Sequence, residues 1–344
     1  MYAGFQGLCL LVQVLPWRAA GALGRVVGLM AYVVLRSYRR LTQEHLAAAL
    51  GPEVIPAQRS RIARRVFGHL SQNAVEWLKL PRISSERLQQ LIECRGLEHV
   101  QQALAKGNGA VVITAHFGNW ELIPLYLRAR GFEGGVLARR LRYPEYESFL
   151  IGMRGDKGVP TLARGSLKEV ARLLRANQLV GMIPDQDTDG LEGVFVNFFG
   201  RPAYTPVGPA ALSLMTGAPI LPCFLVRAGK TCHLTIEPPV PMPQTRDRNE
   251  ALRQLTQAWS DIVESYVRRY PDHWVWMHRR WKTQPSPSNQ KPVASYQEPM
   301  TTTPNPALAV LLVTGYWFLV AGIAGCAKPA PPASLSQQPT TMSA

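Results

Sequence analysis

One histidine and one glutamate in the segment TAHFGNWEL have the residue types and spacing of a proton-transfer pair: His116 and Glu121. Residues five apart on a regular helix point in different directions, so the two can meet only if His116 lies in a turn before a helix. There Glu121 would accept a hydrogen bond from one imidazole nitrogen while the other nitrogen faces a cleft. The pair is therefore predicted to act as a general base on a hydroxyl group, with the carboxylate fixing the tautomer and stabilising the imidazolium.

The same two residues also have an ordinary structural interpretation. A histidine can be packed in the core, and an acid in the first turn of a helix is stabilised by the helix dipole. The context favours catalysis, because His116 follows an apolar run at 110–114 that predicts a buried strand. Gly118 permits an unusual turn, and Asn119 can cap the helix or contact a substrate.

Two further sets of polar residues include side chains that can bind a metal ion. Asp185 and Asp187 in PDQD follow another predicted strand, but a bare D-x-D is weak support for a metal. Asp185 and Gln186 are better interpreted as groups of the site wall that organise polar contacts. The spacing of His273 and His278 keeps them apart on either a strand or a helix, without carboxylate partners, so no metal is predicted there. The tryptophans around them are expected to pack onto the core or into a membrane interface.

Apolar runs and helical periodicities alternate along the middle of the chain. Strands are predicted at 110–114, 179–183, 220–226 and 232–236; helical patterns cover 42–106 and lie near 166–176, 206–216 and 248–269. Because strands alternate with helices, the sequence predicts an α/β fold with a mainly parallel central sheet flanked by helices.

The N-terminus is predicted to be a retained membrane anchor over residues 1–40. Residues 1–35 carry only the charges of Arg18 and Arg25, and a basic run begins at Arg36. A cleaved signal peptide would have its basic residues before the apolar stretch instead. The anchor is either one tilted span or a helix in the interface, and its flanking charge places the rest on the cytoplasmic side of the cell inner membrane.

The rest of the chain divides by composition. Residues 41–282 are predicted to form the catalytic domain, and 283–306 form a linker with six prolines. Residues 307–326 carry no charge and are long enough to span a bilayer. This segment also resembles a lipoprotein processing site with Cys326 as the lipidated residue, which leaves two interpretations open. Residues 327–344 are polar and predicted to be disordered.

The charge balance narrows the classes of partner. With 38 Lys and Arg against 23 Asp and Glu, the formal net charge is +15, which attracts nucleic acid, an anionic bilayer or an acidic carrier protein. The arginines are not interleaved with stacking aromatic residues in a recognised module, so no nucleic-acid partner is predicted. The five cysteines are scattered, which argues against a disulfide framework or structural zinc.

The motifs resemble those of a known family. AHFGNWEL is similar to the His-x4-Asp/Glu signature of the glycerolipid (lysophospholipid) acyltransferases, in the form found in the bacterial lipid A biosynthesis acyltransferases. The segment MIPDQDTDGLEGVFVNFFGRPAYTPVGPAALSLMTGAPILPCFLVR resembles that family's DQ, FFG and TGAP blocks in order, and RRYPDHWVWMHRRWK resembles its terminal block. The resemblance runs from about residue 15 to 282 and implies roles for individual residues. His116 would be the general base and Glu121 would orient it, with Asn119 beside them; Arg154 would contact a substrate phosphate or the carrier, a plain surface arginine being the alternative. The family implies no metal and no cofactor.

The resemblance also implies a reaction. A fatty acyl group would pass from an acyl carrier protein thioester, or alternatively acyl-CoA, to a hydroxyl of a membrane lipid, in the first place a lipid A precursor. Another glycolipid or a lysophospholipid is the alternative acceptor. A membrane-bound thioesterase or lipid hydrolase is the rival, but it would need a nucleophile, and the sequence contains no G-x-S-x-G elbow.

Overall fold

A seven-stranded sheet carries the residues that were predicted to be reactive. The structure is a computed structural model that describes residues 2–139, 144–188, 190–229 and 231–285. Its strands are β1 (Ile92–Arg95), β2 (Ala110–Ile113), β3 (Gly134–Ala138), β4 (Thr161–Ala163), β5 (Leu179–Met182), β6 (Gly193–Phe198), β7 (Arg201–Pro206), β8 (Ile220–Ala228) and β9 (Thr231–Ile236). The order in the sheet is β1-β9-β8-β2-β5-β3-β4, with every neighbouring pair parallel except β8 and β9, while β6 and β7 form a separate antiparallel hairpin.

Helices cover both faces of this sheet. They are α1 (Tyr2–Val14), α2 (Trp17–Val34), α3 (Arg36–Leu50), α4 (Pro56–Lys79), α5 (Ser85–Leu91), α6 (Leu97–Leu104), α7 (Leu122–Ala129), α8 (Pro144–Gly155), α9 (Leu167–Arg175), α10 (Gly208–Thr216) and α11 (Arg248–Arg269). One core packs α9, α10 and α11 on one face, and a second packs α5, α6 and α7 on the other. The predicted α/β fold with a mainly parallel sheet is confirmed.

Strand β2 lies in the middle of the sheet, and its position explains why its sequence is one unbroken apolar run. Val111 and Ile113 enter one core, whereas Ala110 and Val112 enter the other. Since both faces of β2 are covered and strands pair on both of its edges, no position along it faces water. The strands predicted at 179–183, 220–226 and 232–236 are confirmed to within about two residues.

Three strands of the sheet were missed by the sequence analysis. β3 begins with two glycines, β4 has only three residues, and β1 interrupts a stretch whose pattern is otherwise helical. Each is short, so its few residues carry too little periodicity to be distinguished from a loop or a helix end. Their place in the sheet depends on pairing with distant strands.

The first two helices lie against α4 instead of forming one long rod. Pro16 separates α1 from α2, because it cannot donate the backbone hydrogen bond that would continue the first helix. Gly24 and Gly28 face α4 so closely that a Cβ on Gly28 would lie 2.5 Å from the carbonyl oxygen of Phe67. Small residues therefore allow the two helix backbones to approach each other.

A bilayer span is not evident in the described residues. No single helix there is both long and apolar enough to cross, and only the pair Trp17–Val34 and Arg36–Glu53, bent by 91°, meets the length and composition requirement together. The membrane anchor at 1–40 therefore stays a prediction. The linker from residue 286 onward, the apolar segment at 307–326 and the tail at 327–344 lie outside the described residues.

Candidate active site

Two neighbouring parallel strands end side by side and bring His116 to Asp185. Ile113 at the end of β2 is paired with Met182 at the end of β5, and each reactive residue follows its strand by the same short step. Carboxyl ends of adjacent parallel strands open at one edge of a sheet, so the two loops meet there. His116 Nδ1 lies 2.7 Å from Asp185 Oδ1, and the backbone N–H of His116 donates to Oδ2 at 2.9 Å.

The segment after α11 closes around this pair. The indole Nε1 of Trp274 donates to Asp185 Oδ2 at 2.8 Å. Trp274 also forms an isolated antiparallel bridge with Phe117, and the backbone N–H of Gly118 donates to the carbonyl of His273 at 2.9 Å. The aromatic terminal segment does pack onto the core, as predicted, and in addition it holds the loop that carries His116.

Asp185 is buried and remains ionised. Burial by itself would raise the pKa of Asp185, but the charge of His116 and the hydrogen bonds from His116 and Trp274 bring it below its usual value. An ionised carboxylate can only accept hydrogen bonds, so His116 Nδ1 carries the proton of their shared bond. Nε2 is then the ring nitrogen left for a substrate.

Glu121 does not make the hydrogen bond that the spacing suggested. Its carboxylate receives two bonds from Arg154, 2.6 Å from Nη2 to Oε1 and 2.8 Å from Nε to Oε2. The prediction that Glu121 orients His116 is corrected: α7 begins one residue after Glu121, and the carboxylate turns toward α8, which carries Arg154. A catalytic role for Glu121 stays a prediction that this geometry does not favour.

Arg154 is buried instead of lying at the surface. It is 8% exposed, and its remaining nitrogen, Nη1, donates to Thr161 Oγ1 at 3.3 Å. Burial alone would lower the pKa of Arg154, but Glu121 raises it above its usual value, so the guanidinium stays charged. The alternative of a plain surface arginine is therefore wrong, while contact of Arg154 with a substrate phosphate or the carrier stays a prediction.

Asn119 is held inside the protein by both ends of its amide. Its Oδ1 accepts from the indole of Trp77 at 2.8 Å, and its Nδ2 donates to Glu76 Oε2 at 2.9 Å. Glu76 is fully buried and forms a bidentate ion pair with Arg227, with both distances 2.7 Å. The predicted contact of Asn119 with substrate stays untested, and the geometry gives it a structural task.

The Glu76–Arg227 pair and the neighbouring Asn73 were missed by the sequence analysis. Asn73 Nδ2 donates to the carbonyl of Gly118 at 2.6 Å, which fixes the loop after His116. Gly118 has a positive φ of 57°, and a Cβ there would overlap the carbonyl oxygen of Leu225. The available signal was a run of polar residues on the apolar side of a long amphipathic helix, where a solvated side chain would not be expected.

An apolar cavity of about 300 Å³ begins at His116. It runs along one face of the sheet beneath α7, from the carboxyl edge toward the starts of β3 and β5, and α8 forms another wall. The lining includes Val112, Gly134, Val136, Leu179 and Gly181 from the strands, and Ile123, Leu127, Phe149 and Leu150 from the helices. A Cβ on Gly134 would overlap the carbonyl oxygen of Leu179, and one on Gly181 would lie 3.1 Å from Val136 Cγ1, so both glycines allow close packing along the strands. The shape of this cavity fits a flexible hydrocarbon chain.

Two polar atoms of the cavity lining lack partners within the described part of the chain. They are Nε2 of Gln186 and Oγ1 of Thr114, both buried. Buried polar groups are nearly always hydrogen-bonded, and groups that are not often serve a ligand. The predicted substrate contact of Gln186 stays a prediction, and this position supports it.

One cluster has the composition of a metal site. Ligand atoms of His69, Asp272 and His273 lie within 4.8 Å of one another. The expectation that His273 lacks a carboxylate partner is therefore wrong, since His273 Nδ1 is 2.8 Å from Asp272 Oδ1. The other nitrogen of His273 accepts from the backbone N–H of Arg227 at 3.2 Å, and His69 Nδ1 lies 3.1 Å from the Asp272 carbonyl. Internal hydrogen bonds therefore account for this cluster, and we assign it no metal.

Buried histidines predict how stability depends on pH. Burial, with the nearby His116 as a lesser cause, lowers the pKa of His278 to about 3; burial, followed by His273, lowers that of His69 to about 4. In the unfolded chain both would bind protons below pH of about 6.5. The unfolded state therefore binds more protons, so the free energy of unfolding should be highest above pH 6.5 and fall between pH 6 and 5, by up to about 1.4 kcal/mol per histidine.

Urea denaturation at several pH values measures this dependence of the free energy of unfolding on pH. His278→Gln and His69→Gln should each flatten the slope; a wild-type stability that does not change across this range contradicts the assignment.

Comparisons with known proteins identify the family of this chain. Residues 1–283 match the family model described as bacterial lipid A biosynthesis acyltransferase. The chain is 27% identical over 262 residues to the phosphatidylinositol mannoside acyltransferase of Mycobacterium tuberculosis, covering 74% of this chain and 80% of that protein. It is 27% identical over 290 residues to the lipid A biosynthesis lauroyltransferase of Escherichia coli K12, covering 81% and 90%. The lipid A biosynthesis palmitoleoyltransferase of the same organism is 26% identical over 289 residues, covering 82% and 90%.

The family match includes the loop of His116, the loop of Asp185 and the terminal aromatic segment. It confirms the resemblance found in the motifs, and the similar proteins are all named as acyltransferases. The chain thus belongs to the bacterial lipid A biosynthesis acyltransferase family and is an enzyme that transfers acyl groups.

Proposed function

We propose that this enzyme transfers a fatty acyl group from a carrier-protein thioester to a hydroxyl group of a lipid A precursor, on the cytoplasmic side of the cell inner membrane. The observation that carries the proposal is the arrangement at the sheet edge. An ionised, buried Asp185 holds one nitrogen of His116, and the ring lines an apolar cavity. A general base at the mouth of a hydrocarbon pocket is what acyl transfer to a hydroxyl requires.

In the proposed reaction, the oxygen of the acceptor hydroxyl attacks the thioester carbonyl carbon while His116 Nε2 removes the proton of that hydroxyl. The C–S bond then breaks, the thiolate leaves with the electron pair, and the imidazolium returns the proton to it. One ester forms for each thioester consumed, with no covalent intermediate on the enzyme. Asp185 stabilises the positive charge that His116 carries during the step. A general base of this kind accelerates a reaction by about 10²- to 10⁴-fold.

The cavity gives the acyl chain its place. Each methylene removed from water contributes about 0.8 kcal/mol, so a long chain in the apolar space beneath α7 binds firmly and presents its thioester at the edge where His116 lies. The amide of Gln186 lines the same space with an unpartnered Nε2. It is suited to donate a hydrogen bond to the thioester oxygen as negative charge develops there.

Glu121 and Arg154 serve this site through the shape of its wall. Both line the cavity, and their ion pair joins the start of α7 to the end of α8. Removal of one partner would leave the other as an uncompensated buried charge, which costs about 3–5 kcal/mol. Loss of Glu121 is therefore expected to act on folding and on the pocket more than on proton transfer.

Substitutions separate the two carboxylates. Asp185→Asn removes the charge that supports the imidazolium, so kcat should fall by about 10²- to 10⁴-fold with a smaller change in KM. Glu121→Gln should mainly lower thermal stability. Steady-state rates and thermal unfolding of the purified variants measure both effects, and Gln186→Ala is the comparison that removes a cavity contact but leaves the His116 support intact. If Glu121→Gln lost as much kcat as Asp185→Asn at unchanged stability, Glu121 would be the orienting acid.

The acceptor is proposed from the relatives. The Escherichia coli relatives are named for lipid A biosynthesis, and the Mycobacterium tuberculosis relative is named a phosphatidylinositol mannoside acyltransferase. The family model and the Escherichia coli proteins favour a lipid A precursor for this chain, by the resemblance a phosphorylated glucosamine disaccharide with hydroxyacyl chains. The mannoside lipid is the alternative glycolipid.

Mass spectrometry of the products tests the proposed function. Purified enzyme with an acyl carrier protein thioester should add one acyl group to the lipid A precursor and release one free thiol per ester formed. Phosphatidylinositol mannoside and a lysophospholipid, offered in parallel, should react more slowly, and His116→Ala should give no product. Free fatty acid without an acylated lipid would identify a hydrolase, and faster use of either alternative acceptor would refute the lipid A assignment.

Membrane association is proposed from the surface of the N-terminal helices. α2 exposes Val26, Leu29 and Val33, the last two 53% and 58% exposed, and α1 exposes Leu10 and Val14. Exposed arginines, among them Arg18 and Arg25, flank these apolar side chains. An apolar helix surface bordered by basic residues suits the boundary between acyl chains and anionic headgroups.

Vesicle binding checks this assignment. Val26→Glu, Leu29→Glu and Val33→Glu combined should weaken sedimentation with anionic phospholipid vesicles by about tenfold or more, because the charges oppose insertion. Met215→Glu is a control, since Met215 is 61% exposed but lies on α10. Undiminished binding of the triple variant, or an equal loss in Met215→Glu, would show that α2 does not enter the interface.

A further inference from the structure

A basic stripe on α9 is not used by the chemistry described so far. Lys168, Arg172 and Arg175 are exposed and follow one another at helical spacing. Residues four and three apart lie on the same side of a helix, so the three cations form one row about 10 Å long. None of the three makes an ion pair with another residue in the described ranges. Glu169 is the single acid among the nine residues of this helix.

The fold keeps this row pointed at solvent. Val170, Ala171, Leu173 and Leu174 on the opposite side of α9 are buried. These buried side chains hold the backbone of α9 against the sheet, so the row of cations stays on the solvent side of the helix. No large apolar side chain of α9 is exposed within the described part of the helix. The stripe therefore offers charge without a hydrophobic surface.

The loop that leads from β4 into α9 contributes to the cavity wall. β4 ends at Ala163, and the next residue, Arg164, is exposed and also lines the cavity. Arg139, at the end of β3, is likewise exposed and lines the cavity. A donor whose acyl chain enters the cavity at this edge must have its head group next to these arginines and the start of α9.

A membrane does not explain the stripe as well as it explains the N-terminal helices. There the basic residues accompany exposed apolar side chains, whereas the described part of α9 exposes three cations and Glu169 and no large apolar side chain. A row of positive charges without neighbouring apolar side chains is suited to electrostatic steering of an acidic macromolecule. Such steering mainly raises the association rate.

We propose that Lys168, Arg172 and Arg175 form the docking surface for an acidic carrier protein that delivers the acyl thioester to the cavity. The inference rests on the proposed function, because it supplies the donor of the same reaction. The carrier would lie along α9 with its thioester-bearing arm passing Arg164 toward His116. Lys168, Arg172 and Arg175 do not touch the reacting atoms. Their substitution should therefore change the rate only with donors in which the acyl thioester is attached to a carrier protein.

Charge reversal tests the docking surface with two donors of the same acyl chain. The variant Lys168→Glu, Arg172→Glu and Arg175→Glu should lower kcat/KM for the acyl carrier protein thioester by about 100-fold at low salt. The loss should shrink as salt rises, because exposed charges are screened over about 8 Å at physiological ionic strength. With the uncharged acyl-pantetheine thioester, kcat/KM should stay within about twofold of wild type.

A matched variant controls for overall charge. Arg95→Glu, Lys106→Glu and Arg246→Glu change the net charge equally at exposed positions outside the cavity lining, and this variant should retain use of the carrier. Unchanged kcat/KM for the carrier in the α9 variant, or an equal loss in the matched variant, would overturn the docking surface. If the wild-type enzyme transferred nothing from either donor, the proposed function itself would fail. Transfer from acyl-pantetheine with an unaffected carrier reaction would reject the α9 proposal alone.

Discussion

The hydrogen bond between His116 and Asp185 is the interaction around which the site is built. It exists because β2 and β5 are adjacent, parallel and in register, so the loops that follow them meet at one edge. Pairing of the two residues inside the protein keeps a charge where burial alone would neutralise it. The indole of Trp274 completes the arrangement, which links the last described segment of the chain to the centre of the sheet.

Buried ion pairs surround this bond and restrict how the His116 loop can move. Glu76 and Arg227 lie behind Asn119, and Glu121 and Arg154 lie beside the cavity. Buried pairs add little net stability over apolar residues of the same volume, but a broken pair is costly. Their contribution is to restrict the site to one geometry. The Glu76–Arg227 pair holds the loop after His116 against α4, and the Glu121–Arg154 pair holds the cavity wall against α8. The helix against which the N-terminal apolar helices pack, α4, thus also holds the His116 loop.

The sequence predicted the fold class and the position of His116 after a buried strand, because both depend on local patterns. An unbroken apolar run predicts a buried strand, and a histidine after it predicts a residue at the sheet edge. Glu121 was assigned as the partner of His116 because it is near in sequence, whereas Asp185 is nearer in space through pairing of distant strands. Glu76 and Arg227 are 151 positions apart and could be associated only once the fold was known. Strand adjacency, and not motif spacing, decides which acid forms a hydrogen bond with His116.

The tautomer of His116 is the most direct test of the central claim. In protein with ¹⁵N-labelled histidine, the neutral form of the His116 ring should carry its proton on Nδ1, which bonds to Asp185, and leave Nε2 unprotonated. This signature should persist in Glu121→Gln, which keeps the Asp185 bond, and change in Asp185→Asn. A neutral His116 ring with its proton on Nε2 in the wild-type protein, or a signature lost in Glu121→Gln but retained in Asp185→Asn, would contradict the account.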